Sequence, residues 1–150
     1  MKTKFLATGI GSMPFADVEH AVDVSISKLA EAPFWPQLPK LDLNEQMEIQ
    51  YSEGMPCIVI DREKRRMYFD TSNDYSEAFA EFYEVYMAAM DPEEGNGDCS
   101  ALAVSPDFSK GIYAMEKRLQ SSGRKLPFVK VQTTGPISFA LTIVDENKRA

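Results

Sequence analysis

Two cysteines, one histidine and one tryptophan are all that this chain of 150 residues holds of those types. Cys57 and Cys99 lie far apart, so no disulfide framework is readable. No CxxC, HxC or HxxxH spacing offers a metal motif. A reducing cytosol with two free thiols is the expected setting. No run of about 18 apolar residues occurs, so no helical membrane span is expected. Residues 1–15 carry two lysines but no apolar stretch of signal-peptide length. Cations are also short. Lys+Arg is 16 against 23 Asp+Glu, a net charge of −7. Such a chain repels phosphate, and no nucleic-acid partner is expected. The one basic cluster, Arg62, Lys64, Arg65 and Arg66, is diluted by Asp61, Glu63 and Asp70. It reads as a solvated turn rather than a phosphate-binding patch.

What is present fits an ordinary globular chain. Hydrophobic residues make up 44% and aromatics 11%, enough for a sizeable core in one α/β domain over 1–150. Residues 4–10 form an apolar run ending near Gly9, which suits a buried strand. Gly9, Gly11, Ser12 and Pro14 make a loop, and Asp17 is placed to cap a helix whose face is Val18, Ala21, Val22, Ser25, Ile26 and Leu29. Three prolines in residues 33–39 leave room for only a short strand at Phe34–Trp35. Residues 42–51 suit a short helix. Residues 57–61 and 66–70 read as a β-hairpin.

Asp74 and Glu77 have capping-box spacing, and Tyr75, Phe79, Phe82, Tyr83, Tyr86 and Met90 then recur at helical spacing. This stripe is expected to pack on a core, and residues 93–98 to form a loop. Residues 101–105 predict a strand. A helix opening at Pro106–Asp107 follows, with Lys117 and Arg118 near its end and Gly123 as its C-cap. Residues 127–133 predict a last strand, and Pro136 begins a last helix. Strands alternating with helices imply parallel strands, as in a doubly wound sheet or part of a (β/α) barrel. The loops after the strands would gather at one end, where ligands bind.

Candidate chemistry is sparse. Gly11–Ser12, between a strand and a helix N-terminus, offers backbone N–H groups to a carboxylate or phosphate, or is simply a tight turn. Thr134–Gly135–Pro136 is a second turn of the same kind. His20 reads as a surface residue of the first helix. Asp61 and Asp70 are either paired carboxylates or the polar ends of two strands. Trp35 would wall a pocket or plug a barrel end.

Four stretches carry a resemblance: residues 9–14 (GIGSMP), 33–39 (PFWPQLP), 50–54 (QYSEG) and 134–141 (TGPISFAL). The chain resembles the cobalamin-independent methionine synthase group, in the superfamily that includes uroporphyrinogen decarboxylase. The resemblance spans residues 5–149. It implies the N-terminal half of a (β/α)8 TIM barrel, about four β/α units, with the hairpin near 57–70 as an insertion. It also implies a cytoplasmic methyltransferase of methionine biosynthesis, moving a methyl group to a zinc-activated thiol such as homocysteine. Zinc lowers the thiol pKa and presents a thiolate to the methyl donor. By that resemblance Ile10, Gly11 and Ser12 contact the thiol amino-acid substrate.

The family's histidine, cysteine and glutamate zinc ligands come from the second half of its barrel. No zinc is therefore expected on these residues, and the chain reads as an inactive half of a longer enzyme. Exposed half-barrel edges would make it a homo-oligomer. The alternatives are a non-enzymatic binding or assembly module, and a uroporphyrinogen decarboxylase-like enzyme. The second is disfavoured because the first arginine is Arg62.

Overall fold

The computed structural model describes residues 5–72, 74–91, 98–123 and 125–149. Five helices and one hairpin are found among them: α1 (Val18–Lys28), α2 (Met47–Gln50), β1 (Ile58–Asp61), β2 (Arg66–Phe69), α3 (Ser76–Met90), α4 (Lys110–Ser122) and α5 (Pro136–Thr142). Two 3-10 turns, Leu43–Glu45 and Ser100–Leu102, complete the set. Internal contacts divide the chain into two compact units. One comprises Met1–Gln50 with Pro106–Thr134, the other Tyr51–Ser105 with Gly135–Ala150.

The half TIM barrel is overturned. Among the described residues the only sheet is the antiparallel pair β1–β2, and there are not four β/α units. Among the described residues parallel contact survives only as single bridges, Ser12 with Gln37 and Phe34 with Lys130 in the first unit and Phe69 with Asp145 in the second. Proline supplies the physical reason. A parallel ladder uses the N–H of every second residue, and Pro33, Pro36 and Pro39 have none to give. Pairing therefore stops after one bridge. Residues 5–10 form no strand, and Phe5 is 96% exposed. Residues 101–105 coil through the Ser100–Leu102 turn instead of extending.

The first unit is built on α1 and α4, which pack together. Asp17 caps α1 by accepting the His20 N–H at 2.9 Å. Ala21, Val22 and Met115 are buried, as are Leu38, Leu43 and Ile49. Ser25 ties the helix to the proline-rich segment, donating to the Phe34 carbonyl at 2.6 Å and accepting its N–H at 3.1 Å. Gly111, in the first turn of α4, lies on the backbone of Pro36, where an added Cβ would fall 1.8 Å from the carbonyl oxygen. Only glycine permits that approach. Gly123 ends α4 in the left-handed conformation expected of a C-cap. Lys117 and Arg118 fall before the last turn, and Arg118 instead bridges Asp23 and Glu19 of α1.

The second unit contains the hairpin, in the register Ile58 to Phe69 through Asp61 to Arg66. Residues 143–149 lie along it, with the Phe69 N–H bonded to the Val144 carbonyl and Thr71 to the Glu146 carboxylate. The α3 stripe is not a core face. Of the helix only Ala89 is buried, while Tyr83 is 60% and Met90 50% exposed. In SEAFAEFYEVYMAAM, Glu77, Glu81 and Glu84 share one edge and most of the remaining circumference is apolar. A two-stranded hairpin and one 3-10 turn cannot cover every side of such a helix. Its rings cluster locally instead, Phe69 meeting Tyr75 at 5.5 Å and Phe79 at 5.9 Å. No helix of the described residues is long and apolar enough to cross a membrane.

Candidate functional site

Ile10, Gly11 and Ser12 lie in the first unit on a floor made by the 33–39 segment. The Gln37 N–H donates to the Gly11 carbonyl at 2.8 Å, and the Met13 N–H to the Gln37 carbonyl at 2.9 Å. Gly11 sits at φ +145°, which side-chain-bearing residues rarely adopt, and a Cβ there would fall 2.1 Å from Gln132 Nε2. Gly11 is thus buried, while Ile10 is 74% exposed and Ser12 is exposed. Two outward side chains flank a pinned glycine.

The helix after Gly11–Ser12 starts where its cap is expected, but its first turn is already engaged. α1 begins at Val18, where the Asp17 carboxylate occupies the His20 N–H and Glu19 adds charge to the first turn. The cation of this loop is Lys130, which the sequence reading did not single out. Its Nζ donates to the carbonyls of Gly9 at 2.7 Å and Ile10 at 3.1 Å. An ammonium carries three donors, and here it places its charge against the backbone of the candidate loop.

A polar network stiffens this floor. Gln37, fully buried, donates through Nε2 to Gln50 Oε1 at 2.7 Å, and Gln50 Nε2 donates to the Phe108 carbonyl at 2.9 Å. Gln132 Nε2 donates to the Trp35 carbonyl at 2.9 Å. Glu45, also buried, accepts the Lys110 N–H at 2.7 Å and the Leu38 N–H at 3.3 Å, so one carboxylate joins the start of α4 to the end of the proline-rich segment. Burial pushes the Glu45 carboxyl above its ordinary value, against the opposing pull of those two N–H groups and of Lys110. Sequence periodicity offers no signal for this set. Gln50 and Gln132 stand in stretches read as a helix and a strand, and Gln37 in the proline-rich segment, but the burial of all three follows from chain crossings that no local pattern announces.

The first two resembling stretches meet in the first unit through Gly11 and Gln37, and Gln37 also bonds Gln50, the first residue of the third, whose remaining residues belong to the second unit. The fourth straddles the unit boundary, and α5 begins with Pro136 at its first turn as expected. His20 is on the exposed surface of α1, its ring 4.8 Å from that of Phe15. Asp61 and Asp70 stand at opposite ends of the hairpin and are not paired. Asp61 bonds Lys64 and Arg66 at the turn, while Asp70 accepts the Ser72 N–H at the open end. Trp35 is half-buried, and its Nε1 is buried without a partner.

Cys57 and Cys99 are free, both in the second unit, whereas His20 belongs to the first. Among the described residues no group of three or more His, Cys, Asp or Glu side chains could hold a metal. Among the described residues the donors do not make the zinc site that the resemblance implies. No family model, curated protein or solved structure matches the chain.

Proposed function

We propose that the first unit binds a small thiol amino acid such as homocysteine on Ile10–Ser12, as the acceptor-binding part of a methyltransferase of the methionine synthase kind. Lys130 is the observation that carries this reading. Its ammonium lies on the Gly9 and Ile10 carbonyls, at the loop the resemblance assigns to the amino-acid substrate. A substrate carboxylate is drawn to that charge. The exposed Ile10 offers apolar contact to the side-chain methylenes, and Ser12 a hydroxyl. The buried Gly11 and its Gln37 bonds keep the loop from moving away.

Calorimetric titration tests this. L-homocysteine should bind, and 3-mercaptopropylamine, which lacks the carboxylate, should bind about tenfold more weakly, the worth of one charge-assisted contact. Lys130→Met should remove the difference. Equal affinity for the two thiols would overturn the proposal. A second reading, a binding or assembly module, is favoured by the exposed apolar residues of the same unit, Phe5 at 96%, Val131 at 63% and Phe128 at 60%. Light scattering decides it: a clean 16.8 kDa monomer speaks against assembly.

A further inference from the structure

A groove in the second unit runs between α3, the loop after α2 and the Ser100–Leu102 turn, with a volume of about 760 Å³. Its walls are apolar and partly aromatic, from Tyr51, Met55, Phe82 and Val85. The charged side chains lining it are Glu53 and Glu81, and no lysine, arginine or histidine does so among the described residues. Glu53 is fixed, because its Oε2 accepts the Ser105 N–H at 2.6 Å. Glu81 stands on α3 beside Phe82 and one turn from Ala78 and Val85, so acid and apolar wall share one helix face.

A neighbouring cavity of about 520 Å³ shares Val85 and Ala101 and is bordered by Asp91 and Asp98. Acid therefore continues along the groove. The Ser100 N–H and hydroxyl hold the Asp98 carboxyl below its ordinary value, which keeps that end anionic.

We propose that this groove binds a small organic cation with an apolar body, an aryl- or alkylammonium compound. The size is that of a small-molecule site, and apolar walls with a few charged groups are its usual composition. Two carboxylates without a basic partner disfavour an anion. Two carboxylates are too few to hold a bare metal ion, and no group of three such side chains is found among the described residues. An ammonium is attracted to aromatic rings, and Tyr51 and Phe82 are among the residues that line the groove. The site is separate from the Ile10–Ser12 loop and does not depend on the thiol reading.

The test uses phenethylammonium as probe, followed through the backbone amide shifts of the whole chain by NMR. Phenethyl alcohol and phenylacetate serve as the neutral and anionic counterparts. The expected result is saturable shifts at Ala78–Val85 and Ala101–Ala103 with the cation, and at least tenfold weaker binding of the other two. Glu81→Gln, an exposed change on the helix, should weaken the cation several-fold. Glu53→Gln keeps an acceptor for the Ser105 N–H and should do the same. Equal binding of alcohol and cation, shifts elsewhere in the chain, or unchanged affinity in both variants would each overturn the proposal.

Discussion

The two units solve the same problem in opposite ways. The first has little regular structure besides α1 and α4, yet its side chains close over one another: Leu38, Gln37, Gln50, Glu45 and Val22 are among its fully buried residues. Among the described residues the second contains the only sheet and the longest helix, yet of α3 only Ala89 is buried. Regular secondary structure and a filled interior are therefore different things in this molecule. Where backbone ladders are missing, side-chain amides and one carboxylate make the cross-links.

The largest effect expected from this contrast is at Gly111. A methyl group there meets the Pro36 carbonyl at 1.8 Å, and backbone on both sides leaves nothing flexible to yield. Gly111→Ala should cost about 3 kcal/mol or more, read by urea unfolding of Trp35 fluorescence, which reports the first unit. A cost below about 1 kcal/mol would mean that α4 does not rest on the proline-rich segment. Next comes a matched pair of truncations. Met115, 2% exposed, should cost about 2–4 kcal/mol when changed to alanine. Tyr83, 60% exposed, should stay within about 0.5 kcal/mol. Similar losses at both sites would break the comparison and show that α3 is covered after all.

These sites also show what was legible. Asp17 as a cap, Gly123 as a C-cap, Pro136 as a helix start and the hairpin were all readable, because each depends on a few neighbouring residues. The parallel sheet was misread because apolar runs at 4–10, 101–105 and 127–133 announce burial without saying what pairs with what. The aromatic spacing of α3 was read correctly as helical and wrongly as buried, since periodicity does not reveal whether a partner exists. Of the candidate site, the loop Ile10–Ser12 is suggested by the Gly11–Ser12 turn and by the resemblance. Lys130 was missed, because it reaches the loop from 120 residues away.

Acid separates the units further. Burial raises the Glu45 carboxyl above 4.5 in the first unit. Its folded form then holds a proton more tightly than the unfolded chain does. Glu45's own contribution to stability is full below about pH 4.5 and fades as pH rises through the elevated value. In the second unit the backbone N–H groups of Lys64, Ser76 and Ser100 hold Asp61, Asp74 and Asp98 below 3.8, and the Ser72 hydroxyl and amide do so for Asp70. Those contributions are present above that range and lost as pH falls through the lowered values. On acidification, amide protection factors should fall in the second unit before Trp35 fluorescence changes. Glu45→Gln leaves one acceptor for two N–H groups and should cost about 1–2 kcal/mol at neutral pH. A Trp35 transition that precedes the fall in protection would sink this account.

The smallest effect concerns backbone conformation, and it sharpens the contrast most finely. In the first unit the demanding position, φ +145°, is held by Gly11, and only glycine is at ease there. In the second unit Cys57, Arg65 and Lys148 sit at φ 60°, 50° and 66°, the left-handed region that other residues enter at moderate cost. Gly11→Ala must therefore strain the backbone and collide with Gln132 together. Arg65→Gly, at the end of the hairpin turn, removes a left-handed penalty of about 1 kcal/mol. It also returns about 0.4–1 kcal/mol of freedom to the unfolded chain. The two terms oppose each other, so the net change should fall within about 0.5 kcal/mol, measured by amide exchange across β1 and β2. A gain well beyond that would mean that the turn, rather than the absence of a covering partner, sets the stability of the second unit.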